Sequence, residues 1–194
     1  MTDRTVTNDD RGFTLVELLI SMALLSIVVT IVGGIIVSSL QADKTIREVT
    51  TSTTDGQLVV NAIEQTVRNS TAVSVVPNAD GSSVFAVVRT TSGGSARCVA
   101  WFYDIESEAI FQRDSTSAIT APTPGAVGSE WREVSGGIVP DDDATGTPYP
   151  VLQADGARGL AVRFAVEGGT RASTLFVTSV TGRGPQSNVS PQCF

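Results

Sequence analysis

The pattern of apolar and polar positions divides the chain early. From Leu18 to Val37 twenty consecutive residues carry no charge, and the next charged residue is Asp43. Leu, Ile and Val dominate this run and no proline interrupts it. At helical rise it spans the ~30 Å hydrocarbon core of a bilayer. Beyond it the pattern turns amphipathic. Ile46, Val49, Thr53, Gly56, Val60, Ile63 and Val67 recur at steps of three and four, one face of a helix. Lys44, Arg47, Glu48, Asp55, Glu64 and Arg68 lie opposite, toward solvent. The stretch from Thr50 to Gly56, TTSTTDG, is a weak helix former and predicts a kink or short break. β-Branched residues take over between Asn69 and Val73 and predict the helix end there.

After Pro77 the period changes to that of strands. Val84 to Arg89, Arg97 to Asp104, Ala109 to Arg113, Leu160 to Val166 and Thr174 to Val180 are the candidates. The second and third are joined by the polar turn Ile105-Glu106-Ser107-Glu108 and read as a hairpin. One long helix followed by four or five antiparallel strands defines an α+β domain, with the helical stripe packed on the sheet. Between Asp114 and Arg158 the chain is rich in Thr, Pro, Gly and Ala, with Trp131, Ile138 and Val139 as apolar anchors. A stretch of that length predicts a functional loop or a disordered insertion.

Composition narrows the function. The 194 residues carry net charge -7, one lysine and no histidine. The acidic balance opposes a general nucleic-acid binder, although a small basic patch is compatible with it. Lack of histidine removes the commonest general base and metal ligand. No nucleophile–base pair or metal constellation stands out, so the reading is not an enzyme, with no cofactor.

The apolar run is longer than the ~7–15 residues of a secretory signal, and no small-x-small site closes it. The preceding MTDRTVTNDDRG mixes Arg4 and Arg11 with Asp3, Asp9 and Asp10, a poor signal-peptide start. Basic residues flank both ends, so charge barely orients the span. The long strand-bearing side is placed outside, the short one in the cytoplasm. One residue is out of character: Glu17, a carboxylate at the head of the run. Such a group costs ~2.5–3.5 kcal/mol at the bilayer centre, less near the interface, and usually has a partner.

Gly12-Phe13-Thr14-Leu15-Val16-Glu17-Leu18-Leu19, within RGFTLVELLIS, resembles the class III signal of type IV prepilins and type II secretion pseudopilins. The resemblance implies a leader over 1–12, a filament-core or transmembrane helix over 13–40, an amphipathic continuation over 41–72, and a β-rich extracytoplasmic domain over 73–194 of pilin-like fold. It implies that prepilin peptidase cuts between Gly12 and Phe13 and methylates the Phe13 amine. Glu17 then stands four residues from a new cation and would set axial register by pairing with a neighbour's amine. The implied partners are other pilins or pseudopilins, the peptidase, an assembly platform with its cytoplasmic motor, and the lipid of the bacterial cytoplasmic membrane before assembly. WFYD…IFQR and NAIEQTVRNSTAV are similar to the larger minor pilins and pseudopilins. The alternatives are an uncleaved single-pass binding module and an adhesive or DNA-uptake pilin.

Many pilins carry a helix-breaking proline where this chain has Gly33-Gly34. The glycines serve either close helix packing or local loosening. Cys98 and Cys193 are either one disulfide closing a long loop, suited to an oxidising exterior, or two free thiols. Asp141-Asp142-Asp143 reads as a solvated acidic loop rather than a calcium site, because adjacent acids cannot all turn inward. Gly182-Arg183-Gly184 precedes no apolar helix and reads as a turn. Arg89, Arg97, Arg113, Arg163 and Arg171 are scattered, and the sequence does not gather them into a patch.

Overall fold

The structure is a computed structural model and describes residues 14–78, 83–91, 94–168, 171–183 and 193–194. The chain divides into two compact units, Met1–Ile46 and Arg47–Phe194. A single helix, α1 (Leu15–Arg68), contributes to both. In the first unit it carries the apolar run. In the second, Ser52, Gly56, Val59, Ile63 and Val67 are its buried face. Relative to the sequence stripe this face is rotated toward Ser52 and Val59. Ile46 and Val49 stay exposed, and Val60 is only partly buried.

No break interrupts the TTSTTDG stretch. Its hydroxyls bond helix carbonyls instead of competing for the backbone: Thr54 Oγ1 donates to Thr50 O (2.8 Å) and Ser52 Oγ to Val49 O (3.1 Å). Burial of Ser52 and Gly56 against the domain supplies what propensity lacks. The helix stops at Arg68, earlier than the β-branched run implies. Its last carbonyls are taken by the sheets: Thr66 O accepts from Thr90 Oγ1 (3.1 Å), and Arg68 O from the Arg183 N–H (3.1 Å). Partners of this kind satisfy the groups a helix end leaves open.

Among the described residues nine strands follow: β1 (Ser70–Pro77), β2 (Val84–Thr90), β3 (Arg97–Asp104), β4 (Ala109–Ser115), β5 (Arg132–Ser135), β6 (Ile138–Val139), β7 (Leu152–Asp155), β8 (Gly159–Gly168) and β9 (Arg171–Thr181). The first five form an antiparallel meander in the order β1-β2-β3-β4-β5. In the second sheet β9 pairs with one edge of β8, and β6 and β7 share the other. All five strands read from the sequence are present, divided between the two sheets. The Asp114–Arg158 stretch is not a bare loop, since it carries β5, β6 and β7.

The main core joins the α1 face to both sheets, through Val59, Ile63, Trp101, Tyr103, Leu160 and Phe164 among others. A second cluster covers the opposite face of the first sheet, where Phe85, Val87, Ala100 and Phe102 meet Ile119 and Trp131. β2 and β3 are therefore buried on both faces, which is why VFAVV and CVAWFY read as continuous apolar runs rather than alternating ones. Trp131 stands edge-on to Phe85 at 6.3 Å and tilted to Phe102 at 6.2 Å. It anchors the 116–131 segment as the sequence predicts.

Candidate functional site: the exposed N-terminal helix and its outer domain

The first turn of α1 is built by Thr14. Its carbonyl accepts from the Leu18 N–H (3.2 Å), and its Oγ1 from the Glu17 N–H (3.3 Å). Thr14 is thus the N-cap and Glu17 the third helical residue, the T-x-x-E spacing of a capping box. The spacing is visible in the sequence as Thr14-Leu15-Val16-Glu17. An acid in the first turn also suits the positive end of the helix dipole. Gly12 and Phe13, the expected cut site, lie outside the described residues.

From Leu15 to Leu40 the large apolar side chains are 48–75% exposed. The hydroxyls of Ser21, Ser26 and Thr30 are satisfied within the helix. Ser21 Oγ donates to Glu17 O (2.8 Å), Ser26 Oγ to Ala23 O (2.8 Å) and Thr30 Oγ1 to Ser26 O (2.8 Å). A helix that bonds its own hydroxyls and leaves its apolar surface uncovered suits lipid or other apolar helices. Gly33 and Gly34 sit mid-helix without breaking it, and a Cβ at either would meet nothing within 4 Å. The described chain gives them no packing duty.

In the outer domain Cys98 and Cys193 form a disulfide with Cα atoms 5.4 Å apart. Both are buried in the outer cluster, where the Ile119 N–H also donates to Cys193 O (3.4 Å). The bridge ties the C-terminus to β3 and leaves no free cysteine.

The acidic triplet is dispersed. Asp141 Oδ2 accepts from Arg163 Nε (2.7 Å), whose guanidinium lies 3.9 Å over the Tyr149 ring. Asp143 accepts from the Thr145 N–H (2.7 Å), Thr145 Oγ1 (2.6 Å) and the Thr147 N–H (2.9 Å). These bonds, led by the Thr145 hydroxyl, hold its carboxyl below the ordinary range. Two of the three acids thus point to different partners, a poor cation cage.

The five arginines singled out in the sequence do not form one patch. Arg89 donates to Thr71 Oγ1 (3.0 Å), Arg113 faces Glu130 (3.6 Å), Arg163 holds Asp141, Arg97 is exposed and Arg171 opens β9. Tyr103, buried on β3, donates its hydroxyl to Ile138 O (3.2 Å) and so ties the two sheets. Burial, then the charges of Glu108 and Asp104, push this phenol up to about 12.

A long helix with an uncovered apolar half and a packed half, followed by antiparallel sheet, is an α+β pilin-like architecture. Residues 7–33 match the family described as the prokaryotic N-terminal methylation motif. No curated protein and no solved structure is significantly similar to the chain. The motif identifies a type IV pilin-like class III signal, and Gly12, Phe13, Glu17 and Gly33 fall within its span. It supports a type IV pilin-like precursor: a single-pass, membrane-anchored structural subunit that assembles with other pilin subunits.

Proposed function

We propose that the chain is a minor pilin or minor pseudopilin, cut between Gly12 and Phe13 by prepilin peptidase and methylated on the Phe13 amine. Before cleavage it sits in the bacterial cytoplasmic membrane with its N-terminus in the cytoplasm. A cytoplasmic motor acting through an assembly platform then moves it into a short extracytoplasmic filament. The observation that carries this reading is the uncovered apolar helix from Leu15 to Leu40, headed by a capped acid. In lipid that surface is solvated by acyl chains; in a filament it is covered by equivalent helices. Extraction requires both environments to accept the same side chains, and the internally bonded hydroxyls of Ser21, Ser26 and Thr30 meet that requirement.

Glu17 would pair with the Phe13 amine of a neighbouring subunit. A subunit placed out of register leaves both charges unpaired in an apolar bundle, which selects one axial position. Gly33 and Gly34 would loosen the helix or admit a close neighbour during this step.

The test is the mature N-terminus. Mass spectrometry of the chain from cells with the peptidase should give a start at N-methylated Phe13. Cells lacking the peptidase should retain residues 1–12. A chain that keeps its leader in peptidase-bearing cells would instead be an uncleaved anchored module.

A further inference from the structure

The outer domain is electrically polar along its helix. At the pole where α1 ends, backbone bonds gather residues from distant segments. The Arg183 N–H donates to Arg68 O (3.1 Å) and the Gly182 N–H to Arg158 O (2.9 Å). Arg97 pairs in register with Thr90, whose hydroxyl donates to Thr66 O (3.1 Å). Arg68, Arg97, Arg158 and Arg183 are all exposed there. Arg68 and Arg183 line a groove of about 230 Å³ with Ser179 and Thr181. Three acids lie nearby: Glu64 is ion-paired with Arg68 (2.8 Å), Asp114 accepts from Gln112, and Asp155 accepts from Ser179, so Arg183 is the groove arginine not engaged by Glu64.

The opposite pole, where α1 enters the domain, is acidic. The Ile138 N–H donates to Glu108 O (2.8 Å) and the Glu167 N–H to Gly137 O (3.0 Å), which brings the β3–β4 turn beside the end of β8. Glu48, Asp55 and Glu167 line a groove of about 320 Å³ at this end, and Glu106 and Glu108 lie on the turn. Among the residues lining that groove, Arg47 is the cation, against the three acids Glu48, Asp55 and Glu167.

We propose that the basic pole of one subunit receives the acidic pole of a second copy of this chain, with the exposed Glu167 carboxylate entering the Arg68–Arg183 groove. The two patches differ and lie at opposite ends, so the contact is head-to-tail. An interface of that kind is heterologous, so one copy can stack on the next without using up the matching pole of either. Opposed charges fix which end meets which and suppress the reversed stacking, where like poles face each other. A nucleic acid is the weaker occupant, since net charge -7 repels a polyanion everywhere beyond this pole. The inference rests on the pilin-like reading and adds to it a second assembly contact, outside the apolar helix.

The test uses the full-length chain in its native membranes and filaments. An Arg183→Lys variant keeps the charge and supplies an amine that a zero-length carbodiimide can join to a carboxylate. Positions 183 and 167 occupy opposite poles, so a 183–167 link is intermolecular. Mass spectrometry should find that link, and Glu167→Gln should reduce it at least tenfold. Arg183→Glu should lower the assembled fraction at least fivefold, and adding Glu167→Arg should restore it. Leader removal at Phe13 is read in the same samples. Normal removal with no link, or normal assembly of Arg183→Glu, overturns the head-to-tail contact and leaves the pilin-like reading standing. Failure of leader removal strikes the pilin-like reading instead. DNA retention by the full-length chain that Arg158→Glu and Arg183→Glu abolish would assign the pole to a polyanion and also overturn the contact.

Discussion

A Cβ added to Gly56 would stand 2.1 Å from Cε2 of Phe176, well inside contact distance. α1 lies this close to β9 because the residue at the crossing has no side chain. The Phe176 ring occupies the vacated space and stacks on Phe164 at 5.4 Å. One glycine therefore sets how closely the helix approaches the second sheet.

Gly56→Ala should destabilise the outer domain despite improving helix propensity. Alanine gains ~1 kcal/mol over glycine within a helix, but overpacking a core costs ~1–3 kcal/mol. Displacing Phe176 from Phe164 puts the second effect toward the upper end of its range, so a net loss of up to about 2 kcal/mol is expected. Denaturant unfolding of the full chain in detergent would measure it. Phe176→Ala made with Gly56→Ala should cost less than the sum of the two single changes. Additive losses would show that the ring does not set the spacing.

Tyr103 predicts an alkaline limit. Its phenol is raised from 10.0 to about 12, so the folded state holds the proton more tightly than the unfolded chain. The associated stability is fully present below pH 10 and is lost as pH rises toward 12. Tyr103→Phe removes the bond to Ile138 O and should cost ~0.5–1.5 kcal/mol at neutral pH. It should also flatten the decline in stability above pH 10. An unchanged alkaline slope in the variant would assign that limit to other groups.

The Cys98–Cys193 bridge spans 95 residues. Chain-entropy models give about 4–5 kcal/mol for a loop of this size. At ~2–4 °C per kcal/mol, reduction should lower the outer-domain Tm by roughly 10 °C or more. Calorimetry of the full chain with and without reductant reads this directly. Cys98→Ser with Cys193→Ser should reproduce the shift and be insensitive to reductant. A Tm unmoved by either treatment would mean that the outer cluster alone holds the C-terminus.

Glu17→Ala separates capping from assembly. Thr14 still caps the first turn in the variant, and a carboxylate is removed from the apolar run, so membrane insertion and leader removal should persist. The assembled fraction should fall about tenfold, equivalent to ~1.4 kcal/mol. Thr14→Ala should instead fray the first turn, visible as faster amide exchange at Glu17. If the alanine variant at position 17 assembled like the parent chain, the proposed register pairing would fail.

Local pattern carried much of this architecture. The uncharged run, its misplaced acid and strands β2, β3, β4, β8 and β9 are legible because helix and strand periods belong to neighbouring residues, whereas the eight-residue β1 was read only as the end of the helix. The methylation motif is likewise one short contiguous signal. Helix ends, short edge strands and pole charges escaped because their causes are remote in sequence. Arg68 ends the helix because Thr90 and Arg183 supply donors there. β5, β6 and β7 are strands because β4 and β8 offer them edges, not because four-residue REVS or LQAD announces one.

What the sequence alone determined is the division of labour: an apolar helix with an acid at its head, then a strand-rich domain with two cysteines. These follow from hydropathy, propensity and composition, which act residue by residue. Tertiary structure decided the rest. It paired the two cysteines, split the strands between two sheets and pressed Gly56 onto Phe176. It also drew Arg68, Arg97, Arg158 and Arg183 to one pole and left Glu48, Asp55 and Glu167 at the other. Each of those outcomes depends on which distant backbone edges satisfy one another's hydrogen bonds, and sequence spacing does not encode that directly.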